Sequence, residues 1–239
     1  PDEPHAIESN FSPRAVTPAG TMRKEYDERE WRIYRWIYCR LTEQVDRHIG
    51  QILDAVKRTG LEDETLIVFT SDHGNMDASH HLASKGLFYE ESVGVPLLMK
   101  FKGNIPPGTV DEHLVSNGFD ILPTLCDYAG VTVPATLRGK SLRPIAEQQR
   151  VEDWRPYVVS ENHAGRMLRS ERYKYCVYFD GVIRESLVDM QNDPGEMKNL
   201  ALLSEYKDEL LRHRRYLDRW IDESGDSQAR TLVSGASNR

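Results

Sequence analysis

The run TLIVFTSDHGNMDASHHLASKGLFYEESVGVPLLMKF, residues 65–101, decides how this chain folds. Its first six residues, Thr65 to Thr70, are short, apolar and rich in β-branched side chains, which predicts a buried strand of the kind found in a parallel sheet. That strand runs directly into Ser71-Asp72-His73-Gly74, a polar loop at its carboxyl end. Val95 to Phe101 is a second apolar strand, closed by the turn residues GNIPPG. Upstream, Tyr34, Ile37, Leu41, Val45, Ile49, Ile52 and Val56 recur at steps of three and four with charges between them. This spacing predicts one long amphipathic helix, or two in succession, between Thr21 and Thr59, stopped by Gly60. Helix, strand, loop and strand in this order point to an α/β core whose site lies at the strand ends.

Downstream, Asn117 to Ala129 reads as a helix despite Pro123, with Gly130 ending it. Beyond PATLRGKSLRP the pattern changes to short strands at 157–161, 166–170, 173–179 and 186–190, separated by turn residues as in an antiparallel sheet. A last amphipathic helix carries Leu203, Tyr206, Leu210, Leu217 and Trp220, a stripe suited to packing on that sheet. The tail from Ser224 is polar and reads as mobile. The chain thus divides into an α/β part, residues 1–150, and a smaller sheet-and-helix part, residues 151–239.

With 239 residues, 39% of them hydrophobic, the chain is long enough for one large domain or one domain with a small appendage. Its net charge of -7, with lysine and arginine interspersed among carboxylates, argues against nucleic acid as the main partner. No stretch approaches the roughly 18 apolar residues of a membrane span, and PDEPHAIESN lacks the form of a signal peptide. Those first residues read as a loop entered from upstream, so the sequence reads as part of a longer chain. Cys39, Cys126 and Cys176 fit no metal spacing, and their odd number points to buried thiols.

The chemistry concentrates after the first strand. Asp72 and His73 leave the strand end side by side, and a carboxylate with an imidazole can share a divalent metal. The plainer alternative is a helix cap by Asp72 and a turn at Gly74. His80, His81 and Lys85 follow within a few residues, on a loop too polar to be core. A histidine can shuttle a proton near neutral pH and a lysine supplies a fixed positive charge, so the group describes an anion site beside a metal. Solvated surface charges are the alternative for any one of them.

Taken together, SDHG at Ser71 to Gly74, His80, Lys85, YEES at Tyr89 to Ser92 and VPLL at Val95 to Leu98 resemble the pattern of the type I sulfatases of the alkaline phosphatase superfamily. FDILPTLCDYAGV, RGKSLRP, RSERYKY and VDMQNDPGEMKNLA extend the resemblance over nearly the whole chain. It implies the C-terminal half of an alkaline phosphatase-like mixed sheet followed by a small antiparallel subdomain. It also implies a sulfuric ester hydrolase acting on sulfated sugars or aryl sulfates, with one divalent metal, usually Ca2+. By the same resemblance Asp72 and His73 are metal ligands, Lys85 contacts the sulfate and aids the leaving oxygen, and His5 is a second catalytic contact. His80 and His163 are its candidate substrate-binding residues. Members are often exported, which favours a periplasmic or extracellular location.

One departure is plain. The family's nucleophile is a formylglycine made from the first residue of Cys/Ser-x-Pro-x-Arg, and none of these 239 residues forms that motif. The Asp-Asp pair that completes the metal shell is also missing, and calcium prefers about six or more oxygens. The expectation is weak metal binding and no turnover by this chain alone, and a bare sheet edge that a partner or second copy would cover. Two rivals stand beside the sulfatase reading: a phosphonate or phosphate ester hydrolase of the same superfamily, and a non-catalytic interaction module.

Overall fold

The computed structural model describes residues 26–234. Helix α1, Glu28–Arg58, opens on a reciprocal cap in which the Asp27 carboxylate accepts from the Glu30 amide and the Glu30 carboxylate accepts from the Asp27 amide, each at 2.8 Å. It ends at Thr59, and Gly60 adopts the left-handed φ of +72° that a glycine tolerates. Strand β1, Ile67–Thr70, follows, then a long excursion containing the short helix α2, Glu90–Val93, then strand β2, Leu97–Lys100. The chain reverses between the two strands, so they pair antiparallel, with Phe69 opposite Leu98, and not in the parallel manner the apolar run suggests. The pair is also not deeply buried: Phe69 and Leu98 remain exposed, as do Trp36, Leu41 and Ile52 along α1. Among the described residues nothing covers that apolar side.

Helix α3, Asn117–Tyr128, contains Pro123, which lacks the amide that would bond the Phe119 carbonyl one turn back. The RGKS segment fills the gap: a Cβ added to Gly139 would lie 1.8 Å from the Phe119 oxygen, so only glycine permits this approach. Asp120, fully buried in the same turn, is held by Arg155 through two bonds of 2.8 and 2.7 Å and by the amides of Ser116 and Lys140. After the short helix α4, Arg143–Ala146, four strands form a simple antiparallel meander: β3 Tyr157–Asn162, β4 Gly165–Ser170, β5 Tyr173–Tyr178 and β6 Glu185–Asp189.

One face of this sheet packs against helix α5, Lys207–Ser224, through Leu168, Tyr175 and Leu187 meeting Leu217 and Ile221. Full burial of each such leucine contributes about 1.5–3 kcal/mol. The other face, through Met167, Cys176 and Tyr178, covers Phe88 from the excursion between β1 and β2. Both faces being covered explains why β5 is buried along its whole length. Two expectations fail here. Residues 225–234 are not a loose tail, because helix α6, Arg230–Ser234, buries Leu232 after Asp226 pairs with Arg166 at 2.7 Å; the rest of the stretch lies outside the described residues. Nor are the thiols all interior: Cys176 is buried, Cys126 is half-buried and Cys39 is exposed on α1, and all three are free.

Candidate functional site

The loop after β1 is fixed by backbone contacts that leave room for no side chain at its turn. Gly74 donates its amide to the Ser92 carbonyl at 2.8 Å, and a Cβ there would stand 2.0 Å from the Glu91 oxygen. This brings α2 against the loop and aims Asp72 and His73 outward. From the far side, the Asn117 amide at the start of α3 donates to the carbonyls of Ser71, at 2.5 Å, and Asp72, at 3.3 Å.

Within that frame the His73 ring is held in one orientation by a 2.8 Å bond between Nδ1 and the Gly74 carbonyl. Since a carbonyl only accepts, Nδ1 carries the proton, and in the neutral ring Nε2 presents its lone pair. Nε2 lies 3.2 Å from Asp72 Oδ2 and meets the Lys85 ammonium directly. Partial desolvation pushes the Asp72 carboxyl up, but the His73 amide, the His73 ring and Lys85 outweigh it and hold the group below the usual carboxylate range. The helix-cap alternative for Asp72 is not what the chain adopts: its carboxylate accepts from the next residue's amide at a bend in a loop.

Lys85 is delivered by a second, irregular stretch. The amide of Met76 closes on the Ser84 carbonyl at 2.8 Å, and Tyr34 of α1 bonds both Asn75 and the Ser84 amide. Between them Asp77, Ala78, His80, His81 and Ser84 all carry positive φ, a concentration of left-handed non-glycine residues typical of functional loops. His80 lies stacked on Tyr89 with ring centroids 3.8 Å apart and does not line the cleft. His163 does. It sits on the exposed turn between β3 and β4, facing the same open cleft of about 490 Å³ as Asp72, His73, Lys85, Asn117 and Glu161. His5 lies outside the described residues.

The sequence reading did not single out Asn117 or Asn162. Asn117 follows a serine at a helix start, an ordinary capping context, and Asn162 precedes His-Ala-Gly, an ordinary turn. A larger surface groove, about 1130 Å³, is lined by Arg155, Arg172 and Arg212, but these are engaged by Asp120, Asp189 and Glu209. Of the two, the cleft over Asp72 is the one that brings a carboxylate, an imidazole and an ammonium together. The donor set there fits one edge of a divalent-ion shell, a carboxylate beside an imidazole lone pair. Among the described residues no third His, Cys, Asp or Glu joins the pair.

The sequence pattern of the family described as Sulfatase matches residues 3–131, more than half of the chain. The chain belongs to the sulfatase family. A second pattern, N-sulphoglucosamine sulphohydrolase, C-terminal, matches residues 78–220 and so takes in the four-stranded sheet. A family relative from Bacteroides thetaiotaomicron, a Delta 4,5-hexuronate-2-O-sulfatase, is 38% identical over 216 residues, covering 86% of this chain and 45% of its own length. The solved structure of a 2-O GAG sulfatase is 33% identical with a TM-score of 0.83, covering 97% of this chain and 54% of that one. A protein solved in complex with its substrate, D-glucosamine-2-N,6-O-disulfate, is 28% identical with a TM-score of 0.69, covering 77% of this chain and 39% of that one. A phosphonate monoester hydrolase from Silicibacter pomeroyi matches over less of this chain, 75%, at 30% identity and a TM-score of 0.67, and 39% of its own chain. This chain spans less than half the length of the curated relative and about half of the first solved neighbour. The fold agrees with the alkaline phosphatase-like arrangement: α/β, with a small two-stranded sheet and a four-stranded antiparallel one.

Proposed function

We propose that this chain forms the C-terminal half of a sulfuric ester hydrolase acting on sulfated sugars. The observation that carries the reading is the convergence of Asp72, His73 and Lys85 at one end of an open cleft that also holds His163. In this reading residues 1–150 form the C-terminal half of the catalytic core and residues 151–239 close the cleft as a subdomain. Asp72 and the Nε2 of His73 hold part of the shell of one divalent cation, Ca2+ by family resemblance, with the remaining ligands supplied from outside this chain. When bound, that cation would neutralise charge on the ester oxygens. Lys85 pairs with a sulfate oxygen and stabilises the leaving oxygen as the S–O bond breaks. His163 hydrogen-bonds the sugar, His80 braces the loop from behind through Tyr89, and His5 acts as a further contact to the sulfate. A formylglycine nucleophile comes from a segment other than these 239 residues, so this chain alone is inactive.

The resemblance to a phosphonate monoester hydrolase supports a second reading, because sulfate and phosphonate esters present the same tetrahedral oxygens to Lys85. Matched aryl sulfate and aryl phosphonate substrates offered to the full-length protein test the choice. Sulfate release with kcat/KM at least tenfold above phosphonate cleavage supports the sulfatase reading, and the reverse order sinks it. The apolar side of α1 and β2 supports a covering partner, either the rest of the catalytic core or a second copy of this chain.

A further inference from the structure

The segment that carries Lys85 is fastened on both sides of the lysine: Ser84 is held by the Met76 amide and the Tyr34 hydroxyl, and the residues after it by the C-terminal part. On its C-terminal side each alternate residue is tied to the four-stranded sheet. The Gly86 carbonyl accepts from Asn162 Nδ2 at 2.9 Å, and the Phe88 carbonyl accepts from Lys174 Nζ at 3.1 Å. The Glu90 amide donates to Glu196 Oε2 at 2.6 Å, while Lys174, fully buried, pairs with the carboxylates of both Glu90 and Glu196 at 2.7 and 2.9 Å. Every partner lies at least 76 residues away in sequence. Lys85 itself stands between two residues of positive φ, Ser84 at +68° and Gly86 at +114°, so its direction depends on how those neighbours are held.

Of the ties to the C-terminal sheet, the one made by Asn162 is nearest to Lys85. One side chain does two separate jobs: Oδ1 accepts from the amides of Ala164 and Gly165, closing the β3–β4 turn, and Nδ2 reaches out to Gly86. We propose that Asn162 is a positioning residue for Lys85, the point at which the C-terminal sheet sets where the lysine enters the cleft. This rests on the role given to Lys85 above. Asn162 acts by fixing the Gly86 peptide, so that the ammonium is already placed when the ester arrives and no reorganisation is needed in the transition state.

Asn162→Asp separates the two jobs, since it keeps the turn-closing oxygen and removes the donor. In the 239-residue chain, hydrogen exchange followed by mass spectrometry should quicken on the order of tenfold over residues 84–92, with β5 residues 173–178 unchanged as the check on folding. In the full-length protein, kcat on an aryl sulfate should fall by about tenfold to a hundredfold with KM within twofold. The Lys85→Ala and Lys85→Ala/Asn162→Asp proteins should be equally impaired, because Asn162 acts only through Lys85. Should the aspartate variant fail to fold, Asn162→Ser keeps a turn oxygen and is held to the same criteria. Unchanged exchange over 84–92, kcat within twofold of the parent, or losses that add in the double variant would each overturn the assignment. A parent protein without sulfate ester hydrolysis sinks the functional reading instead, and the exchange comparison alone then decides whether Asn162 holds the segment.

Discussion

Asn117 donates its side-chain amide to the carbonyl of Ser71 across 2.5 Å, joining the first residue of α3 to the end of β1 although 46 residues separate them. The same nitrogen reaches the Asp72 carbonyl at 3.3 Å, so the backbone that aims the Asp72 carboxylate is held at two successive peptides. Asn117→Ala is expected to loosen this corner without disturbing α3, whose first residue needs no side-chain cap from it. If Asp72 holds the proposed cation, activity of the full-length protein should fall roughly 10- to 100-fold, the usual cost of removing a residue that orients a ligand. Steady-state kinetics, with thermal unfolding as control, checks this; an unaltered kcat/KM would remove Asn117 from the site.

The ion pair behind that helix should dominate local stability. Arg155→Met leaves the carboxylate of Asp120, which is fully buried, without its charge partner. A loss of about 3–5 kcal/mol is expected in urea unfolding, and Asp120→Asn in the same chain should recover part of it. A loss under 1 kcal/mol would mean that water reaches the carboxylate.

Two glycines are expected to resist even alanine. At Gly74 and Gly139 the added carbon would meet the carbonyls of Glu91 and Phe119, and backbone cannot yield as a flexible side chain does. Each change should cost about 1–3 kcal/mol by overpacking, with Gly74→Ala also lowering activity because the loop bearing His73 must move. Differential scanning calorimetry of the two variants provides the comparison.

The C-terminal part should lose stability as the pH falls, in two steps. His213 is wholly buried, its Nε2 bonded to Ser170 Oγ at 2.9 Å and its Nδ1 to the Glu209 carbonyl at 3.0 Å, beside Arg212 and the rings of Tyr173, Tyr175 and Tyr216. Desolvation lowers its pKa despite the nearby Glu209 carboxylate, so the unfolded chain binds the proton first. Stability is therefore full above the unfolded value of about 6.5 and falls as pH drops below it. Asp189, held by Arg172 and lowered to about 2, adds a second loss between the ordinary carboxylate range and pH about 2. Denaturant unfolding at several pH values, repeated with His213→Gln, should show the first slope vanish in the variant.

Much of this was legible before any coordinates. The apolar run into SDHG placed Asp72 and His73 at a strand end, and the spacing to Lys85 put all three within one loop system, because those relations are local in sequence. Strand direction was not, since an isolated apolar run of four to six residues carries no record of which way its neighbour runs, and β1 with β2 proved antiparallel. The ties that orient the site also escaped. Asn117 and Asn162 read as helix-start and turn residues because their outward amides find partners 46 and 76 residues away. Residues 225–234 misled for the opposite reason: a polar composition hid the two small contacts, Asp226 with Arg166 and the burial of Leu232, that pack them.

The central claim is that Lys85 meets the sulfate at the Asp72–His73 corner. Its most direct test is single-turnover and steady-state hydrolysis of a sulfated sugar by the full-length protein and its Lys85→Ala variant, both verified as folded. A fall in kcat/KM of about a hundredfold or more, consistent with loss of a transition-state charge contact, is the expected result. Sulfate release at the parent rate in the variant would contradict it.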